Sequence, residues 1–235
     1  MGIGSSPGKT NVMAARAVGG LDGTVESIDV AAAGRDPRAS GGFRPPYAVQ
    51  TLIDELTLAP VVLQGGRAVE IDPLAPGGEL DYGEPIGVVD TIHTLHSELA
   101  TFGESFGCRE ASFRLSLAPA LLGRLRELAA ASADEVAIAT REATSPSAET
   151  VSVHLVIARG GERTVAVRAV SHPYFGLGGS VVSTAAPAAA AVRLLARGQV
   201  TATGALPPER CLEPELLFAE LEGRGCSFEL RRDGV

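Results

Sequence analysis

Met1-Gly-Ile-Gly-Ser-Ser-Pro-Gly-Lys-Thr-Asn11-Val-Met13 opens the chain with a glycine loop that runs straight into a helix-forming stretch. A glycine loop of this kind ordinarily follows a buried strand, because the strand aims the loop at a ligand. Here that strand would have to lie upstream of Met1, so the chain reads as the second half of something larger. Gly8-Lys9-Thr10 imitates the end of the phosphate loop G-x-x-x-x-G-K-[ST], whose glycine N–H groups wrap phosphates. The spacing misses by one: Ile3 stands five before Gly8, and the glycines are Gly2 and Gly4. Pro7 removes a further N–H from any cradle. The dinucleotide fingerprint G-x-G-x-x-G fails as well, both here and at Gly176-Leu-Gly178-Gly179-Ser180, where Val181 stands in the place of the third glycine. What remains is a tight turn feeding a helix N-terminus, a place that also suits a carboxylate or phosphate.

The 235 residues suffice for one large domain or two small ones. Apolar residues make up 45% and aromatics 4%, with no tryptophan, so the core must be Ala, Val and Leu. A net charge of −8 argues against nucleic acid, whose phosphates need clustered Lys and Arg. Lys9 is the only lysine beside 19 arginines, a bias that fits a GC-rich genome and makes Lys9 conspicuous. Cys108, Cys211 and Cys226 are odd in number and lack C-x-x-C spacing, which reads as reduced thiols in the cytoplasm. No apolar run reaches about 18 residues without charge or turn signals, so no membrane span is expected. A secretion leader is not expected either.

Pattern and punctuation predict helices over residues 7–18, 47–58, 95–102, 119–131, 183–196 and 214–221, with a looser helical segment near 133–138. Ser5 or Ser6 reads as the cap of the first; Ser180 and Ser183 read by default as caps of the alanine-rich one, with contact to an anion as the alternative. Strands are expected over 24–33, 86–90, 110–117 and 227–231. Two hairpins are expected, 60–63 with 67–71 and 150–158 with 163–170, the second turning at Gly160-Gly161-Glu162. Residues 34–46 read as a loop and 74–85 as a turn-rich excursion. Hairpins with helices between them predict an α/β (α+β) fold, a mixed and largely antiparallel sheet covered by helices.

His93-Thr-Leu-His96-Ser97-Glu98 is the densest polar group. Two histidines three apart could share a helix face and bind a metal, but no third ligand follows at a suitable spacing and H-E-x-x-H is absent, so no metal is expected. Proton transfer or substrate hydrogen bonding suits histidine better, and a helix start capped by Thr94 is an equal alternative. Arg35, Arg38 and Arg44 surround the glycine-rich loop. Arg44, held beside Pro45 and Pro46, is the better carboxylate anchor.

Gly4-Ser-Ser-Pro7-Gly8-Lys-Thr-Asn11-Val-Met-Ala resembles the G-x-x-P-G-x-x-N-x-x-A stretch of saccharopine dehydrogenase-like enzymes, lysine 6-dehydrogenases among them. Three further stretches agree in order: Pro46-Tyr47-Ala-Val-Gln-Thr51-Leu-Ile-Asp54-Glu55, Thr94-Leu-His96-Ser97-Glu98-Leu-Ala-Thr101, and Gly204-Ala-Leu-Pro207-Pro208-Glu209 with Phe218-Ala-Glu-Leu221 and Arg224-Gly225. The resemblance spans almost the whole chain. It implies an oxidoreductase that moves hydride between NAD or NADP and a carbon bearing an amino acid nitrogen. Carried over by motif, Pro7 and Gly8 would border the cofactor, Asn11, Arg44 and Tyr47 the substrate, and His96 would transfer the proton.

The resemblance further implies a remnant of the cofactor-domain edge over 1–20, a substrate-binding and dimerisation domain over 21–175, and a helical segment over 176–235 that returns toward a Rossmann half. The family's own cofactor motif is absent from these residues. The expected partners are an amino acid-like small molecule, a second copy in a homodimer and, where the cofactor half is a separate chain, a Rossmann subunit, with no nucleic acid and no membrane. The chain alone would then be inactive. The rival readings are a non-catalytic amino acid-binding or interaction protein on the same scaffold and, third, a P-loop nucleotide hydrolase.

Overall fold

The computed structural model describes residues 2–38 and 42–232. Residues 39–41, part of the loop expected over 34–46, lie outside the described residues, as do Met1 and 233–235.

Sequence alternation builds a nine-stranded sheet. The strands are β1 (Ser27–Arg35), β2 (Val61–Gln64), β3 (Arg67–Glu70), β4 (Pro76–Asp81), β5 (Val88–His93), β6 (Glu110–Ser116), β7 (Val151–Gly160), β8 (Arg163–Ser171) and β9 (Cys226–Arg232). Their order is β3-β2-β6-β1-β7-β8-β9, with the β4–β5 hairpin joining through β5 to the end of β6. β1 and β6 run parallel, and every other pair is antiparallel. The expected mixed, largely antiparallel sheet is therefore the observed one.

Period-2 alternation sends Ile28, Val30 and Ala32 of β1 to one face and Ala31 and Ala33 to the other. The first face is covered by α1 (Lys9–Val18), α3 (Leu99–Phe106), α6 (Gly179–Ala196) and α7 (Pro214–Glu222). Over the second face folds the β4–β5 hairpin, whose Tyr82 is fully buried against Val153, Leu155 and Ile157 and donates its hydroxyl hydrogen to Ala32 O. With both faces covered, β7 is buried almost end to end rather than on alternate residues. The remaining helices, α2 (Val49–Thr57), α4 (Pro119–Ala129) and α5 (Ala133–Glu142), pack on one another through Leu52, Leu56, Leu125 and Leu128.

Differences from the sequence reading have local causes. β4 hides in the excursion expected over 74–85 because its Gly77 reads as a turn. A Cβ there would lie 2.4 Å from Thr91 Oγ1 and 2.8 Å from Arg114 Cδ, so the glycine makes room for side chains of β5 and β6. α1 starts at Lys9, not Pro7, and neither Ser5 nor Ser6 caps it; Asn11 Oδ1 instead accepts from Gly8 N at 2.8 Å. α3 begins at Leu99, four residues later than expected. His93 ends β5, so His93 and His96 share no helix face. α6 begins at Gly179, which places Ser183 inside the helix rather than at its cap. α6 is also the one described helix long and apolar enough to cross a membrane; its inner face, Val182, Ala186, Ala190 and Leu194, is buried in the core.

α6 enters under a tight constraint. A Cβ on Gly179 would lie 2.1 Å from Ser171 O and 2.6 Å from Thr150 O, both backbone atoms. Gly123 in α4 has nothing within 4 Å of such a Cβ. Gly179→Ala should therefore cost about 3 kcal/mol or more, while Gly123→Ala should stabilise the fold by about 0.5–1 kcal/mol. Urea unfolding of the two variants checks this contrast.

Candidate functional site

Parallel strands present their carboxyl ends together, and crevices form there. The ends of β1 and β6 do so here. A cavity of about 800 Å³ opens between them, the Gly2–Pro7 loop, the start of β7, α2 and the first turn of α6.

One wall carries acid–base groups. His96 stacks on Phe113 with ring centroids 3.4 Å apart. Its Nε2 lies 3.8 Å from Glu55 Oε1 and its Nδ1 3.6 Å from Glu98 Oε2. These separations allow charge attraction but exceed direct hydrogen bonds. His96 Nε2 and Glu98 Oε2 are buried without hydrogen-bond partners among the described residues. Glu98 Oε1 accepts from Thr10 Oγ1 at 3.0 Å, and Tyr47 donates its hydroxyl hydrogen to Glu55. Burial holds the Glu55 carboxyl above the ordinary carboxylate range and the Glu98 charge adds to it, while His96 and the Tyr47 hydroxyl act in the opposite direction.

A second wall carries hydroxyls around a buried amine. Lys9 is completely buried. Its Nζ donates to Ser183 Oγ at 2.8 Å and to Ser171 Oγ at 3.2 Å. Ser183 Oγ lies 2.7 Å from Ser5 Oγ, and Ser5 Oγ lies 2.9 Å from His154 Nε2. Burial pushes the Lys9 ammonium down to about 8, with Cys226 acting weakly the other way. Burial also holds His154 well below its ordinary value, with the nearby charges of Lys9 and His96 contributing, so its ring is neutral near pH 7.

Arg44 lines the cavity with its Nε buried and unpartnered. Asp36 lines it too. Burial opposes the Asp36 charge, but hydrogen bonds from Ser147 Oγ and from the Ser147 and Arg38 N–H groups, together with Arg44, hold it below the ordinary range. Of the residues singled out from sequence, Pro7, Arg44, Tyr47 and His96 thus meet on one cavity. Gly8 and Asn11 do not line it: Asn11 Nδ2 donates to Glu209 at 2.9 Å, and Glu209 also accepts from Thr101 and Ser105. Sequence reasoning passed over Glu55, Glu98 and His154, and took Ser183 for a cap. The signals were thin: one histidine in an apolar strand, and a solitary lysine.

The loop offers no pyrophosphate cradle. The N–H groups of Lys9, Thr10 and Val12 go to Gly4 O, Ser5 O and Gly8 O, and that of Gly8 goes to Asn11. These are the donors a phosphate would need. Among the described residues no group of three His, Cys, Asp or Glu is placed to hold a metal ion.

No family model matches the sequence, and no curated protein matches it. Among solved structures, the apo form of a histidine-tagged saccharopine dehydrogenase (L-Glu forming) from Saccharomyces cerevisiae superposes with a TM-score of 0.66. The match covers 99% of this chain and 73% of that one, at 11% identity. The chain has a saccharopine dehydrogenase-like fold. At that identity the likeness speaks for the scaffold alone, so the chemistry of the cavity rests on its own side chains.

Lys9 supplies a test of the site's electrostatics. Its depression from 10.5 to about 8 corresponds to about 3 kcal/mol of cost to the charged fold. The folded state then binds fewer protons than the unfolded chain between about pH 8 and 10.5, so stability rises with pH across that window. Lys9→Met should be more stable than the parent by about 1–3 kcal/mol at pH 7. That advantage should shrink as pH climbs from 8 toward 10.5, read by urea unfolding at each pH.

Proposed function

We propose that this chain forms the amino acid-binding, substrate side of a saccharopine dehydrogenase-like oxidoreductase acting on an amino acid C–N centre with NAD or NADP. The observation that carries the reading is the cavity itself, which sets Arg44, with its unpartnered buried Nε, in one enclosure with Glu55 and His96, while Glu98 backs His96 from the buried side. A zwitterionic amino acid needs a guanidinium for its carboxylate and an anionic side for its ammonium. His96, held between two carboxylates, is the group to take up or return the proton of the substrate nitrogen. Tyr47 orients Glu55, and Pro7 forms part of the wall beside the substrate. Asn11 enters the reading as a support of the loop rather than as a ligand contact.

The hydride acceptor belongs to a cofactor-binding portion, whether on the same polypeptide or on a separate Rossmann subunit. Among the described residues the Gly4–Gly8 loop forms no pyrophosphate cradle. The same reading makes the protein a cytoplasmic homodimer. Val192 and Leu195, exposed on the outer side of α6, offer a surface for such packing.

A second reading, amino acid binding without catalysis, is favoured by the way the loop spends its own N–H donors. One titration separates the two. Calorimetry with a panel of amino acids should find a ligand, and Arg44→Ala should weaken it by tenfold or more. Reduction of NAD(P)+ by the protein as its host makes it, with that ligand, supports the oxidoreductase. Binding without any reduction supports the binding protein. No binding by any amino acid sinks both.

A further inference from the structure

The Lys9 cluster is not used by the reading above, and its geometry has a direction. An ammonium only donates, so Ser183 and Ser171 must accept from Lys9. The Ser183 hydrogen is then left for Ser5 Oγ at 2.7 Å, and the Ser5 hydrogen for His154 Nε2 or the cavity. When Lys9 loses its proton, its lone pair lets the chain run the other way, from Ser5 through Ser183 to Nζ. Ser5 and Ser183 both line the cavity, as does His154, whose Nδ1 is buried and unpartnered in a residue only 6% exposed.

A purely structural role explains this poorly. No carboxylate hydrogen-bonds Lys9 among the described residues, and the hydrogen bonds its ammonium makes go to hydroxyls, where an apolar side chain would fill the space without that cost. The groups facing it are Cys226 from β9, His154 from β7, Ser171 from β8 and Ser183 from α6. Among the described residues Lys9 is the one buried Lys or Arg, and there the chain uses its one lysine, although it uses arginine at 19 other places. Of the two, only lysine can give up its proton in water. The first turn of α6, an 18-residue helix, also borders the cavity with its positive end.

We propose that Ser5 is a nucleophile activated by Lys9 through Ser183, giving the cavity an acyl-transfer activity toward small esters or amides. Ser5 Oγ forms a bond to the acyl carbon while its proton passes to Ser183 and the Ser183 proton to Lys9 Nζ. The bond from the acyl carbon to the leaving alcohol or amine then breaks, and the leaving group takes a proton back along the same chain. Water attacks the Ser5 ester, releasing the carboxylic acid and restoring the Ser5 hydroxyl. Nothing is oxidised, and no cofactor enters.

The test uses an aryl sulfonyl fluoride, followed by intact mass and peptide mapping, with p-nitrophenyl acetate as the acyl donor. One adduct on Ser5 is expected, forming faster as pH rises through about 8, the value of Lys9. A burst of nitrophenol should accompany acylation. Ser5→Ala should abolish both. Ser183→Ala should slow labelling tenfold or more while leaving Lys9 in place, and Lys9→Met should slow it and flatten its pH profile. Urea unfolding of each variant confirms that it is folded. An unlabelled Ser5 in the folded parent overturns the proposal, and so does labelling at equal rate in Ser183→Ala and Lys9→Met. Neither readout involves an amino acid or NAD(P), so failure here leaves the oxidoreductase reading standing, and the reverse.

Discussion

A single buried amine organises the structure. Lys9 sits in the first turn of α1 and reaches hydroxyls on the last residue of β8 and in the first turns of α6. A charge without water must be surrounded by donated lone pairs, and the lone pairs here come from two elements, β8 and α6, that lie far from Lys9 in sequence. The contact fixes where α1 lies against the sheet, and with it the Gly4–Gly8 loop that closes one side of the cavity. The same end of the loop is held a second time by Asn11, which joins Gly8 N to the Glu209 carboxylate. Within the loop, Gly4 N donates to Pro7 O and Lys9 N to Gly4 O, so these N–H groups serve to keep its shape.

The sheet was largely legible because its physics is local. The hairpin β7–β8, the helices α2, α4 and α7 and the strand β6 follow from alternation, amphipathic spacing and turn residues, and they appear within a few residues of where those signals place them. What escaped were features decided by distant partners. β4 carries Pro76, Gly77 and Gly78, which look like a turn until Thr91 and Arg114 are seen occupying the space beside Gly77. α3 starts at Leu99, and Glu98 just before it turns its carboxylate to Thr10 on α1, a contact that no local signal announces. Ser183 reads as a cap because serine before an alanine run ordinarily is one, yet its hydroxyl is needed by Lys9.

The site divides in the same way. Arg44 could be picked from the sequence as an arginine held beside two prolines and His96 as a member of the densest polar group, whereas Tyr47 entered only through the resemblance of its stretch to a family motif. Glu55 and Glu98 could not, since a glutamate on or beside a helix is ordinary, and only the fold brings both within 4 Å of one imidazole. His154 was equally silent. One polar residue on an inward face of a strand is compatible with any satisfied core histidine, and the unpartnered Nδ1 and the Ser5 contact exist only in three dimensions.

Both polar walls hang from adjacent residues. Lys9 and Thr10 are successive positions of α1, about 100° apart around the helix axis, so one reaches Ser183 and the other Glu98. A displacement of the first turn of α1 cannot alter the hydroxyl chain without also moving the support of the Glu98 carboxylate beside His96. The proton states are joined as well: the charge on Lys9 and the charge on His96 each disfavour protonation of His154, which lies within range of both. The cavity thus has two acid–base walls whose geometry is set by one helical turn. A ligand that draws on either wall, by taking a proton or by displacing the loop, changes the environment of the other.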